Sequence, residues 1–341
     1  MEKPTLKSLS KILGLDPSLI SRVLRGSQDA RVSEENRKRI LQAAQKAGYR
    51  PDRMARSLRA RSSNVVALLT PDITNPFHSL FFRGAEAAAR VAGFDVILGH
   101  LADVHQSEEL VASVTQGLVD GVLVACAWQP DPRLKILREA NMPYVVINRP
   151  SGDPNDLQFL PDDAAIGAIA AKALVDLGHK RIVGVFSDMR VGGMRMRRDA
   201  FVRKARELDP DCEVMVKEEV NSFADLRALM HELLTRSDMA RPGALFFAHS
   251  QYAGVAVQEA VLRHKLKVPE DLSIIGCGTA PDSLVSSVCI PAETIGSDGM
   301  NALLGLIAGN PCASGTIYAP VLNQGATMTR STQLGLREVQ S

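Results

Sequence analysis

The chain contains no apolar run near the ~18 residues that a membrane-spanning helix needs. Residues 1–9 are polar and charged rather than patterned as a secretory leader, so the protein is expected to remain in the cytoplasm. Its five cysteines (Cys126, Cys212, Cys277, Cys289 and Cys312) are scattered and odd in number. Without a Cys-x-x-Cys or Cys/His cluster there is no zinc-site spacing, and a disulfide framework is not expected in a chain of this size. These thiols read as buried and reduced, and no metal is assigned. A Gly-x-Gly-x-x-Gly after the first strand, a Gly-x-Ser-x-Gly elbow and a P-loop are all missing, which weighs against the enzymes that share α/β sheets. No catalytic residue and no cofactor are assigned. Internal repeats, low-complexity segments and a heptad tail are also missing.

What is present is asymmetric. The net charge of +2 conceals 15 Lys and Arg against 6 Asp and Glu in residues 1–61, a balance of +9, ahead of an acidic remainder at −7. That pattern suits a polyanion bound at one end only, although a solvated charged face would look the same. The first 48 residues read as three short helices. Thr5 caps the first, whose apolar positions Leu6, Leu9, Ile12 and Leu13 are placed on one face. Gly14 and Leu15 make a turn. Asp16 caps a second helix, with Pro17 at its first position and Ile20, Val23 and Leu24 inward. Gly26 stops it. A third, capped by Ser33, places Ile40, Leu41, Ala44 and Ala47 inward and ends at Gly48. The arrangement predicts a helix-turn-helix. The outward face of the second helix carries Ser18, Ser21, Arg22 and Arg25 with no acid after Asp16, as a helix lying in a DNA major groove would.

The arginine-rich segment 50–63 is too short to hold a helix alone in water and reads as a basic linker that phosphate contacts would fold. Beyond Asn64 the texture alternates. Strand-like runs at 65–69, 96–98, 121–125, 144–147, 182–186, 244–248 and 273–275 are separated by amphipathic stretches such as 80–92, 164–177 and 254–264. Strict alternation predicts a parallel, doubly wound sheet whose ligand crevice lies beyond the strands' C-terminal ends. The segments following the strands, 71–77, 126–130, 148–150, 187–197, 249–252 and 277–281, therefore carry the functional interest.

Taken in order, TLKSLSKILGLDPSLISRVLRG (5–26), VSEENRKRILQAAQKAGYRPDRMARSLR (32–59), VVALLTPDITNPF (65–77), LVDLGHKRI (174–182), VPEDLSIIG (268–276) and TRST (329–332) resemble the LacI/GalR family of bacterial transcriptional regulators over nearly the whole chain. The resemblance implies an all-α headpiece at 1–48, a hinge helix at 49–62 and a core at 63–341 formed by two doubly wound α/β subdomains of the periplasmic-binding-protein type. The N-subdomain would comprise about 63–161 and 292–322, and the C-subdomain about 162–291 and 323–341. It implies base-edge contacts from Pro17, Ser18 and Arg22, and phosphate contacts from Thr5 and Ser21. Leu58 would wedge into the minor groove, flanked by Arg56 and Arg59. It further implies a homodimer on a palindromic double-stranded operator, with an effector between the subdomains. Phe77 would lie against that effector. Arg197 matches the first residue of an R-x-x-G-F motif, present here as Arg197-Arg198-Asp199-Ala200-Phe201, and would bond ligand hydroxyls or carboxylates.

Two positions depart from the family's sugar-binding pattern. His249-Ser250 replaces an Asn-Asp pair, and Gly278 stands where an Asp is expected. With Arg197 kept and two acids lost, the cleft is expected to take a sugar phosphate, an organic acid or a less hydroxylated sugar. The competing expectation is a cleft that no longer senses a small molecule, leaving a regulator controlled by a protein partner or constitutive. Trp128, the only tryptophan, is read either as stacking on a ligand or as partly buried between subdomains. His249 is read either as titrating near neutrality against the ligand or as locally satisfied. Cys277 is read as inert packing, and His179 and Lys180 as an exposed helix terminus. In the headpiece, Leu19 stands where Thr is common, and Asp52 where the hinge helix usually begins with Asn. The function expected is thus a DNA-binding regulator, most often a repressor in such families. The rivals are a solute-binding protein or an α/β enzyme, from which salt-dependent duplex binding lost on removing residues 1–61 would distinguish it.

Overall fold

The computed structural model describes residues 4–24, 32–49, 62–100, 109, 111–113, 115–237, 240–249, 251–278, 283–310 and 315–331. They divide into two compact units, Met1–Ser63 and Asn64–Ser341.

In the first unit, helices α1 (Leu6–Leu13), α2 (Pro17–Leu24) and α3 (Glu34–Ala47) enclose a small core of Leu9, Ile20, Val23, Ile40 and Ala44. Thr5 and Ser8 form a reciprocal capping box that satisfies first-turn amides of α1. Gly14 (φ 66°) and Gly48 (φ 64°) close α1 and α3 in the left-handed region, where a side chain would be strained. The Asp16 carboxylate accepts the Ser18 amide at 2.8 Å and starts α2. Two residues placed inward by the sequence pattern lie outward instead. Ile12 is 69% exposed and Leu41 48% exposed. Each sits at the edge of its helix's apolar stripe, and so small a core closes without them. Residues 25–31 and 50–61 lie outside the described residues, and with them Arg25 and the hinge positions Arg56, Leu58 and Arg59.

The second unit contains two six-stranded sheets. The first runs β11 (Thr316–Tyr318), β5 (Gln158–Pro161), β4 (Tyr144–Ile147), β3 (Gly121–Ala125), β1 (Val65–Thr70) and β2 (Asp95–His100), all parallel. The second runs β12 (Val321–Asn323), β10 (Ser287–Cys289), β9 (Ser273–Cys277), β8 (Ala244–Phe247), β6 (Arg181–Val185) and β7 (Glu213–Lys217). It is parallel except at β12, which pairs antiparallel with β10. The central strands β1, β3, β4, β6, β8 and β9 are apolar and almost wholly buried, as strands covered on both faces must be.

Helices α4 (Pro76–Val91) and α10 (Ala292–Ile307) pack together on the first sheet, and α6 (Asp163–Asp176) and α7 (Gly192–Leu208) on the second. The chain passes from one sheet to the other after Pro161, between Cys289 and Ala292, and between Tyr318 and Val321. The last passage lies a few residues before the expected position near 323, because the three-residue β12 already pairs with β10. No described helix is long and apolar enough to cross a membrane.

Candidate functional site

On α2 the expected base-reading residues Pro17, Ser18 and Arg22 are exposed, while Ser21 is half-buried. The helix carries no acid of its own. Thr5 is exposed, and its Oγ1 accepts the Ser8 amide at 3.1 Å, which leaves the hydroxyl hydrogen to donate outward. The face therefore offers short donors and a guanidinium, with the Asp16 carboxylate confined to the helix start, where it bonds Ser18.

In the second unit, the segments following β1, β4, β6, β8 and β9 converge on one cleft, with about 470 Å³ of empty space including its open mouth. Phe77 and His78 come from the first turn of α4, and Asn148 and Arg149 from the end of β4. Asp163 begins α6, while Gly193, Met194 and Arg197 belong to α7. Ala248 and His249 follow β8, and Cys277 and Gly278 end β9. The crevice lies where strand ends of a doubly wound sheet usually hold ligands.

Arg197 is buried on α7, in a stretch expected to be irregular. Its Nε donates to Asp163 Oδ1 at 2.7 Å, and its Nη1 to the Ala248 carbonyl at 2.8 Å and to Cys277 Sγ at 3.4 Å. Burial works against the guanidinium charge. The Cys277 sulfur and the Asp163 carboxylate outweigh it, so Arg197 stays protonated. Burial also pushes the Cys277 thiol up to about 11, despite Arg197 beside it, so it remains a neutral packing group. Arg197 Nη2 makes no hydrogen bond among the described residues.

Gly278 has φ 70°, and a Cβ there would meet the Phe77 ring at 3.0 Å. The acid missing at this position is thus replaced by an aromatic edge lying against bare backbone. Phe77 also meets Phe81 edge-on at 5.1 Å between centroids. His249 stacks on Tyr252 at 4.4 Å. Burial, with Arg149, His78 and Arg197 nearby, lowers its pKa to about 4. This corrects the expectation of titration near neutrality: His249 enters the cleft as a neutral ring. Ser250 lies outside the described residues. Trp128 is not in the cleft lining. Its ring lies 4.3 Å beneath the Arg133 guanidinium, and Arg133 is itself bonded to Asp131. His179, read as exposed, is buried, with Nε2 beside Ser273 Oγ and the Thr329 carbonyl, both at 3.0 Å.

Several groups here were not singled out from the sequence. His78 Nδ1 lies 2.8 Å from the Asp72 carbonyl and 3.0 Å from Thr70 Oγ1, with Nε2 turned to Cys126 Sγ at 3.7 Å. The Asn148 amide donates to the same sulfur at 3.0 Å. Burial pushes the Cys126 thiol up, but Arg149, His78 and Asn148 together draw it down to about 7. Burial opposes charge on His78, and the Cys126 sulfur and the Asp72 carbonyl reverse the balance, raising its pKa. The only advance signal for Asn148 and Arg149 was their position just after a strand.

Residues 171–328 match the periplasmic binding protein-like domain family. The ribose operon repressor of Bacillus subtilis is 30% identical over 336 residues, covering 96% of this chain and 98% of that protein. The chain belongs to the LacI/GalR family of bacterial transcriptional regulators. Among solved structures, a CelR–cellobiose complex is similar to this LacI/GalR protein at 25% identity and TM-score 0.69, covering 95% of this chain and 99% of that one. The lac repressor dimer bound to operator and an anti-inducer shares the fold, with TM-score 0.82 at 18% identity over 96% of this chain and 100% of that one. This regulator therefore joins a DNA-binding headpiece to a core of the periplasmic-binding-protein type.

Proposed function

We propose that the protein is a cytoplasmic repressor that binds a palindromic operator as a homodimer and is controlled by a small molecule in the cleft. The observation that carries the DNA reading is the exposed α2 face, where Ser18 and Arg22 stand on a helix with no acid within its own length. Arg22 reads a base edge, and Thr5 and Ser21 hold phosphates. The operator in the lac repressor complex and the sugar in the CelR complex support the pairing of these two activities. The effector class is a sugar phosphate, an organic acid or a sugar. Its binding favours one closure of the two sheets, so ligand and operator affinities are linked reciprocally.

The test is selection of a duplex from a randomised library, followed by anisotropy titrations with single-base variants of the selected site. Arg22→Ala is expected to relax preference at one base position per half-site, at a cost of ~1–3 kcal/mol. An equal loss on every sequence would make Arg22 a phosphate contact. Failure to enrich any duplex would overturn the DNA reading itself. Binding should also fall steeply with salt; six to ten phosphate contacts would cost roughly 10³–10⁵ in affinity between about 50 and 200 mM.

A further inference from the structure

The cleft holds more positive charge than its own carboxylates offset. Three side chains of fixed charge line it, Arg149, Asp163 and Arg197. Asp163 is bonded to Arg197 at 2.7 Å, so that buried pair adds no net charge. Arg149 makes no ion pair or side-chain hydrogen bond among the described residues, and it is only partly buried at the cleft wall. Its field reaches Cys126, His78 and His249. Asp188 also senses it, but the Arg190 guanidinium already forks that carboxylate at 2.7 to 3.1 Å. Asp72 acts on His249 from outside the lining, with its carboxylate held by Thr74, and the remaining titratable groups at the cleft form no ion pair with Arg149. His249 is held neutral, and Cys277 is a neutral thiol. When Cys126 ionises, its charge is shared between Arg149 and His78, but its hydrogen bonds run to His78 and Asn148 and not to Arg149.

A guanidinium left unpaired beside a low-dielectric cavity is a fork without its acid. We propose that the ligand of this cleft is a small anion, and that Arg149 is the group that binds its carboxylate or phosphate. Arg197, whose charge Asp163 offsets, then serves as a hydrogen-bond donor through Nη2 and not as the charge partner. The apolar lining of Phe77, Val191, Met194 and Ile290 beside the Gly278 backbone leaves the uncharged body of the ligand a compact hydrophobic seat. The proposal rests on the reading that the cleft is the effector site, and it narrows that reading to one ligand class and one anchoring residue.

The experiment is calorimetric titration of the full chain with ribose, ribose 5-phosphate, gluconate and citrate at up to about 10 mM, repeated on Arg149→Gln and Arg149→Lys. At least one anion is expected to bind while ribose does not. Losing one charged hydrogen-bonded partner should weaken that anion roughly 10–100-fold in Arg149→Gln, with partial recovery in Arg149→Lys. Because Arg149 holds no side-chain partner among the described residues, the melting temperature of ligand-free Arg149→Gln should stay within about 2 °C of the parent, which separates a binding role from a structural one. Preference for ribose 5-phosphate over gluconate and citrate would assign the anchor to phosphate, and the reverse to carboxylate. Equal affinity in Arg149→Gln, binding of ribose ahead of every anion, or no binding by any of the three anions would overturn the proposal. Operator selection is scored separately. If it succeeds while the anion arm fails, only this inference falls, and if no duplex is enriched the DNA-binding reading falls instead.

Discussion

Arg197→Ala is expected to lower the melting temperature of the ligand-free protein by about 10 °C, a larger effect than any surface substitution should have. Removing one member of a buried ion pair leaves the other charge unpaired, which typically costs ~3–5 kcal/mol. In a unit of this size each kcal/mol moves the midpoint by roughly 2–4 °C. Here the stranded group is Asp163, buried at the start of α6. The Ala248 carbonyl and Cys277 sulfur lose their donor in the same step. Arg197→Lys keeps the charge, but its single ammonium cannot span Asp163 Oδ1 and the Ala248 carbonyl as the guanidinium fork does, so it should recover only part of the loss. The measurement is calorimetric unfolding of all three proteins without ligand. Unchanged midpoints would mean that Arg197 acts on the ligand alone, as the family motif by itself implies.

The gap between those two roles shows where the sequence was legible. The central strands could be read directly, because parallel strands buried on both faces appear as continuous apolar runs. Runs at 121–125 and 144–147 coincide with β3 and β4. Strands β11 and β12 have three residues each and are largely exposed, so neither length nor alternation marks them. Arg197 could be recognised by its motif, yet its carboxylate lies 34 residues earlier, on a helix that packs against α7 only in the folded core. Nothing in local periodicity reports such a pair. Gly278 was legible as a lost acid. That the same position takes a left-handed backbone and bears the Phe77 ring is a property of the folded core alone. Gly192-Gly193 read as irregular chain, whereas they form the first turn of α7.

These glycines are also the reason the ion pair exists. Asp163 and Gly167 are four residues apart on α6, and Gly193 and Arg197 four apart on α7, so each pair shares a helix face. A Cβ at Gly167 would collide with the Arg197 carbonyl, and a Cβ at Gly193 with the Asp163 carboxylate. The two helices approach closely enough for the guanidinium to meet the acid only because both crossing points lack a side chain. Gly167→Ala is therefore expected to cost at least ~2–3 kcal/mol. Its collision is with backbone, which no rotamer change relieves, and it exceeds the ~1 kcal/mol that alanine returns in helix propensity. Parting the helices also pulls Asp163 from Arg197, so Gly167→Ala and Arg197→Ala should lose part of the same interaction. In a double-mutant cycle by denaturant unfolding, the combined loss should fall short of the sum by ~0.5–3 kcal/mol. Strict additivity would show that the helix crossing and the ion pair are separate features. A shortfall would show that the glycines exist to place Arg197 at the cleft.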